Sequence, residues 1–442
     1  MKRLLTGVYT FALCLLAILS FPRLAYAYCF KKKYKKSLNA RLGKQACPAF
    51  ASKNCSIWIH AVSVGETRAV APLVRLIKEH YPTLPIVITS VTETGHEEAK
   101  RSIPEAAAHL YMPFDFQYLV KPLLKAISPG IVILTESDFW WNFLSLSKQA
   151  GAALVLVNGK LSARSAERFR SVPFFSRPLF SFLDKACVQN ALYQTRFIQA
   201  GLLPEKLLVT GNIKFDDASS VESAQVLEGL KKKLGIVDGD LVLTLGSTHF
   251  PEEKALLKAI RPLWEQEPRL KVLIVPRHPE RFKEVALLLK DEPVPSMIFS
   301  NHAESHGKER LMLIDQMGLL RHCYQLSTLA FVGGSLFPGV GGHNILEPCV
   351  FGVPVLFGPC MDAQQELASL VIEAGAGFQI DPNTIEAHFL FLLKRPDEMS
   401  RAGICGLGLM QKLKGAAQKT LNALKPALDQ IVKTSKNSIA LK

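Results

Sequence analysis

Isolated acids and cations at turn positions are the first candidates for chemistry in this chain. In "HAVSVGETRAV", residues 60–70, Glu66 follows five small or apolar residues, Ala61 to Gly65, and a helix-like pattern begins directly after it. The helix dipole favours a carboxylate in a first turn by about 0.3–1 kcal/mol. Glu66 therefore suits either a helix cap or a base set in an open turn. A second acid, Glu136, closes an apolar run in "TESDFWWN", beside Phe139, Trp140 and Trp141, which read as packing residues. Lys160 and Arg164 in "NGKLSARS" and Lys214 in "TGNIKFDD" stand at further turns. Each alone reads as a surface charge, and together they suggest an anion-binding rim.

The second half carries turns of another kind. "GSTHFPEE" sets Gly246, Ser247 and Thr248 between a strand-like and a helix-like run, where a helix start can hold a phosphate. "VPRHPERF" places Pro276, Arg277 and His278 likewise, and "VGGSLFPGVGGHNILEP" is glycine-dense, with Asn344, Ile345, Leu346 and Glu347 at its end. A carboxylate three residues after Asn344 suits ribose hydroxyls and equally a capping box. The glycines follow neither the P-loop nor the Rossmann fingerprint, "GGS" is not a nucleophile elbow, and no His and Asp/Glu cluster argues for a metal.

The elements that must position these turns alternate. "SIWIHAV", "PIVITSV", "GIVILTES", "ALVLVNG" and "KLLVTGN" read as buried parallel strands, with amphipathic stretches such as "TRAVAPLVRLIKEHY" between them. "DLVLTLGST", "LKVLIVPRH", "LMLID", "TLAFVGGS" and "VPVLFGP" form a second such series. The polar segment 214–225, "KFDDASSVESAQ", divides the two. This order predicts an α/β protein of two doubly wound domains, 56–213 and 226–442, facing each other across a cleft. Ligands of such sheets sit beyond the carboxyl ends of the strands, where the quoted turns fall. The closing amphipathic stretch "AAQKTLNALKPALDQIVK" is counted with the second domain and is expected to pack back across the cleft's rim.

Composition narrows the partners. A net charge of +15 over 442 residues points to nucleic acid, an anionic membrane or phosphorylated substrates. No nucleic-acid recognition motif accompanies the lysines. Nine scattered cysteines without a C-x-x-C pair read as reduced thiols of a cytosolic environment. Between Arg3 and Arg23 lie 19 uncharged residues, about 28 Å as a helix against a hydrocarbon core of about 30 Å. Residues 1–30 thus read as a single-pass membrane anchor. The basic stretch 31–55, with "YCFKKKYKK", Arg41 and Lys44, keeps the rest of the chain cytoplasmic by the positive-inside rule and draws it to anionic lipid. A cleaved leader ending at "AYA", 25–27, is the alternative, and the unpaired cysteines argue against it.

Taken in order, "SVGE", "TES", "LSARS", "TGNIKFD", "STH", "PRHPERF" and "GGHNILEP" resemble the 3-deoxy-D-manno-octulosonic acid (Kdo) transferases of lipopolysaccharide synthesis. The resemblance runs from the N-terminal anchor to about residue 375. It implies a GT-B glycosyltransferase at the cytoplasmic face of the inner membrane, with an N-terminal acceptor-binding domain and a C-terminal nucleotide-sugar-binding domain. Such an enzyme transfers Kdo from CMP-Kdo to a lipid A precursor, with inversion and without a metal or other cofactor. Carried over motif by motif, Glu66 is the general base, and Glu136 and Lys214 stabilise the transition state. Pro276, Arg277 and His278, the turn Met317, Gly318 and Leu319, and Asn344, Ile345, Leu346 and Glu347 form the CMP pocket. The chain departs from the family pattern at "NGKLS", where Asn-Ala-Arg-Leu-Ser is expected, at "MGLL", which lacks an acid after Gly318, and at "GPCMDAQQE", which lacks an Asn-Phe pair. Alternation and glycine turns alone also permit a GT-B enzyme with a UDP-sugar donor, or a non-catalytic membrane-anchored binder of nucleotide or phospholipid.

Overall fold

The computed structural model describes residues 2–30, 35–48, 50, 55–216, 223–301, 305 and 307–440. Parts of the expected basic linker (31–34, 49 and 51–54) and interdomain linker (217–222) lie outside them. The chain divides into two compact units, Met1–Asp217 with Leu413–Lys442, and Ala218–Lys412.

The first unit opens with the helix α1 (Lys2–Cys29) and holds seven parallel strands: β1 (Ser56–His60), β2 (Ile86–Ser90), β3 (Ala108–Tyr111), β4 (Pro129–Thr135), β5 (Ala153–Gly159), β6 (Lys185–Val188) and β7 (Leu207–Val209). Their order in the sheet is β3-β2-β1-β4-β5-β6-β7. The order reverses between β1 and β4, which pair directly, Ile59 against Ile133. Side chains alternate across a strand, and both faces of this sheet are covered. Trp58, Val132 and Leu134 join Trp141 and Phe143 in one core, while Ile57, Ile59, Ile131 and Ile133 join Val70, Leu73 and Ile77 of α2 (Val64–His80) in the other.

The closing helix corrects the expected division. α6 (Ala416–Ala440) completes the first unit and not the second. Its apolar face, Ala417, Leu421, Leu424, Leu428 and Ile431, fills the core over Ile131, Ile133 and α2. The Asp216 carboxylate accepts the backbone N–H groups of Gly415 (2.6 Å) and Ala417 (2.5 Å), capping its start. Two more helices of this unit matter below, α3 (Trp141–Gln149) and α4 (Pro173–Ser181).

The second unit has β8 (Leu241–Thr248), β9 (Leu270–Pro276), β10 (Ser296–Ile298), β11 (Leu311–Leu313), β12 (Leu329–Val332), β13 (Val355–Phe357) and β14 (Gly377–Gln379), all parallel, in the order β10-β11-β9-β8-β12-β13-β14. Here the reversal falls between β8 and β12, and α5 (Glu252–Gln266) follows β8. Gly246, Ser247 and Thr248 are the last residues of β8, as the strand-like run "DLVLTLGST" has them, and α5 begins four residues later.

Candidate active site

In the first unit the functional side chains converge on the carboxyl ends of β1, β4 and β5 and on the turn after β7. β1 ends at His60, and Ser63 caps α2. Glu66, three residues on, turns back over the cap. Its Oε2 accepts the Val62 N–H (2.8 Å) and its Oε1 the Ser63 hydroxyl (3.1 Å). This is a capping box, a structural use of the acid that its position permits. A side chain at Gly65 would meet no atom within 4 Å, so nothing in the fold itself demands glycine there.

A second property separates Glu66 from an ordinary cap. Burial, then the neighbouring Asp138 carboxylate, push its pKa up to about 7 against the pull of the Val62 N–H, with Glu136 adding a smaller rise. Asp138 hydrogen-bonds Glu66, and burial raises its own carboxyl too. Two carboxyls sharing a site resist double ionisation, which holds the proton affinity of Glu66 up. The sequence reading gives Asp138 no role, and its place two residues after Glu136, directly before the aromatic run 139–141, was the available signal.

Glu136 itself sits just past β4 in the left-handed region, φ +65°, which a non-glycine residue occupies at a cost of about 1–3 kcal/mol. It is 5% exposed and bridges two ammonium groups, Lys160 Nζ at 2.5 Å and Lys214 Nζ at 2.7 Å. Lys160 therefore stands, as a cation, where the family pattern has arginine. Asn158, also left-handed at φ +52°, accepts the Ile213 N–H through Oδ1 (3.0 Å) and holds the Lys214 turn to the end of β5. Arg164 lies exposed in the next helix, outside these ion pairs. Phe139, Trp140 and Trp141 pack against the apolar core as expected.

In the second unit the carboxyl ends of β8, β9, β11 and β12 carry a different set. Pro276 closes β9, and Arg277 and His278 follow, both exposed. His249, just past β8, brings its Nε2 to 2.7 Å from His343 Nε2, the rings stacked at 5.0 Å, and packs edge-on to His278 at 5.1 Å. Burial lowers the pKa of both His249 and His343, the latter to about 4, with the neighbouring histidines adding to the effect. The pair is thus neutral at pH 7, one ring donating to the other. Neither histidine was singled out from the sequence, although both stand in quoted motifs. Asn344 accepts the Leu346 N–H (3.2 Å), and Ile345 and Leu346 are buried. Asn344 Nδ2 reaches Glu347 at 3.5 Å. Burial raises the Glu347 carboxyl against the fields of Arg321 and Arg277. The helix these residues open is one turn, Leu346–Cys349. Gly318, φ +93°, turns the chain after β11, between exposed Met317 and half-buried Leu319.

The start of α5 carries a buried carboxylate of its own. Glu252, 2% exposed, accepts the N–H groups of Gly334 (2.7 Å), Ser335 (2.9 Å), Leu336 (2.9 Å) and His249 (3.0 Å). A side chain at Gly333 would strike Glu252 and the Ser247 carbonyl, both 2.7 Å away, which explains the glycine. Among the described residues no group of three His, Cys, Asp or Glu is placed to hold a metal ion.

Comparison with known proteins identifies the family. The family model described as 3-Deoxy-D-manno-octulosonic-acid transferase (kdotransferase) matches residues 36–217. The 3-deoxy-D-manno-octulosonic acid transferase of Chlamydophila psittaci (strain ATCC VR-125 / 6BC) is 36% identical over 424 residues, 96% of this chain and 96% of that protein. The one from Haemophilus influenzae is 32% identical over 422 residues, 95% and 96% of the two chains. A solved glycosyltransferase from Rickettsia africae ESF-5 shares the fold with a TM-score of 0.56 at 14% identity, covering 85% of this chain and 99% of that one. Two doubly wound parallel sheets of this kind are the GT-B architecture.

Proposed function

The chain belongs to the Kdo transferases, and from that premise we propose that it moves one or more Kdo residues from CMP-Kdo to a lipid A precursor, lipid IVA, with inversion and with Glu66 as the general base. The observation that carries this reading is the Glu66–Asp138 carboxyl pair beside the doubly paired Glu136 at the strand reversal of the first unit. A sugar hydroxyl is a poor nucleophile until its proton is accepted, and a base with a pKa near 7 is well matched to that task.

In the step proposed, an acceptor hydroxyl gives its proton to Glu66 as its oxygen bonds to the anomeric carbon of Kdo. The bond from that carbon to the CMP phosphate breaks, and CMP leaves with the electron pair. Asp138 sustains the raised pKa of Glu66. Lys160 and Lys214, held by Glu136, set positive charge where negative charge develops, which favours the transition state over the ground state. The second unit binds CMP through Pro276 to His278, the Met317–Leu319 turn and Asn344 to Glu347, with Arg277 facing the phosphate and Glu347 the ribose hydroxyls. α1 holds the enzyme at the cytoplasmic face of the inner membrane.

The test is direct. Purified protein incubated with CMP-Kdo and lipid IVA should yield products heavier by whole Kdo residues in a mass spectrum, and Glu66→Gln should yield almost none. Transfer from a UDP-sugar in place of CMP-Kdo, or undiminished transfer by Glu66→Gln, would overturn the reading.

A further inference from the structure

The apolar helix α1 is tied to the first unit at both ends. Leu5, 8% exposed, enters the same core as Trp141 and Phe182. The Trp141 indole N–H donates to Thr6 Oγ1 (2.9 Å), and the Tyr9 hydroxyl hydrogen-bonds the buried Asp115 carboxylate. The Tyr9 ring stacks on Phe175, and the Lys2 ammonium lies 4.6 Å over the Phe182 ring. Positions 2, 5, 6 and 9 share one helical face, so the first turns are docked on α3 and α4. Asp115 also accepts the N–H groups of Asn142 (3.0 Å) and Phe143 (2.8 Å). The dock therefore rests on the helix that begins three residues after Asp138.

The far end returns to the same unit. Glu93 Oε1 accepts the Lys36 N–H (3.0 Å), the Ser37 N–H (3.1 Å) and the Ser37 hydroxyl (3.2 Å). Gln45 and Tyr111 then exchange two hydrogen bonds, at 2.7 and 3.0 Å. The five steps from Phe30 to Lys35 span at most about 18 Å, too short to recross a hydrocarbon core of about 30 Å. A helix whose two flanks are fixed to one unit on one side of a bilayer cannot cross it.

We propose that α1 is a monotopic element, docked on the first unit by Leu5, Thr6 and Tyr9 and sunk by its free turns into a single leaflet. Phe11, Leu16, Ile18, Leu19 and Phe21 are 61–71% exposed and present no charge, which fits acyl chains. Phe174 on α4, 66% exposed, borders a shallow depression with Lys2 and Arg177, cations suited to anionic headgroups at the same surface. This departs from the single crossing expected from the sequence, and it rests on reading α1 as the membrane anchor. It gives the anchor a second task, because the elements carrying Asp138 and Glu136 are then held at a fixed height above one leaflet.

Protease protection of the full chain with an N-terminal epitope tag tests the proposal. The tag should survive protease added to intact spheroplasts and be removed in inverted inner-membrane vesicles. Loss of the tag in spheroplasts overturns the monotopic arrangement and leaves the anchoring reading standing. Recovery of the chain in the detergent-free soluble fraction overturns both. Because a tag can disturb the docked turns, a photo-crosslinking benzoylphenylalanine at Leu5 supplies the second readout. An intrachain crosslink to peptides within 141–182 is expected, and crosslinking to lipid alone would sink the dock.

Discussion

Glu66 and Glu252 occupy equivalent places in the two units, each near the start of the helix that follows the strand at the sheet's reversal point, and each folds its carboxylate back onto backbone N–H groups. Their surroundings send them to different ends. Glu252 is sealed, and its four N–H donors engage the carboxylate inside the second unit and oppose the rise that burial gives it. Glu66 takes one N–H and one hydroxyl, and shares its site with a second carboxyl. One acid closes a turn. The other is left with a proton affinity that chemistry can use.

The largest effect that tests this contrast is Glu66→Gln. Glutamine serves a capping box as well as glutamate does, so the melting temperature should hardly move, while transfer falls about 100- to 10,000-fold, the usual loss of a general base. CMP binding by calorimetry should stay unchanged; its loss would remove the division of labour between the units.

Glu252→Ala should do the opposite, leaving four buried N–H groups without their acceptor at a cost of at least about 3 kcal/mol. Thermal unfolding of the second unit should drop accordingly, and a variant that melts like the parent would refute the structural role. Glu347→Ala comes next. It should weaken CMP by about 1.5–3 kcal/mol, the scale of hydrogen bonds to a charged group, and full retention of CMP affinity would strike Glu347 from the nucleotide site.

The smallest effect is a displaced pH profile. Glu66 must be ionised to accept a proton, so kcat/KM should climb as pH rises through about 7 and level off above it. The folded carboxyl is raised above its ordinary 4.5. Its contribution to stability is therefore present below that value and is withdrawn as pH rises toward about 7. Asp138→Asn removes the like charge and should move the rising limb to lower pH. A limb that stays in place would mean that burial alone sets the shift.

Much of this was legible in the chain. Buried Val- and Ile-rich runs alternating with amphipathic stretches specify two parallel sheets, and the rule that sites form beyond strand carboxyl ends placed Glu66, Glu136, Lys160 and Lys214 on one edge before any pairing was visible. Charge partnership was not legible, because Lys160 and Lys214 meet across strands separated by some fifty residues of sequence. Nor was the fate of Glu252, since a carboxylate at a helix start reads alike whether it meets solvent or a neighbouring glycine loop. The amphipathic face of α6 was plain, but its period says only that a partner exists and not which sheet supplies it.

That last helix also sets a clock. Asp216 caps α6 from 199 residues upstream, and ribosomes add about 5–20 residues per second. For roughly 10–40 s the nascent first unit therefore waits with the α6 seat over Ile131, Ile133 and Leu73 uncovered, while the entire second unit is being made. The usual order of synthesis, in which an N-terminal domain is finished before the next begins, is inverted here: the unit started first is the last to close.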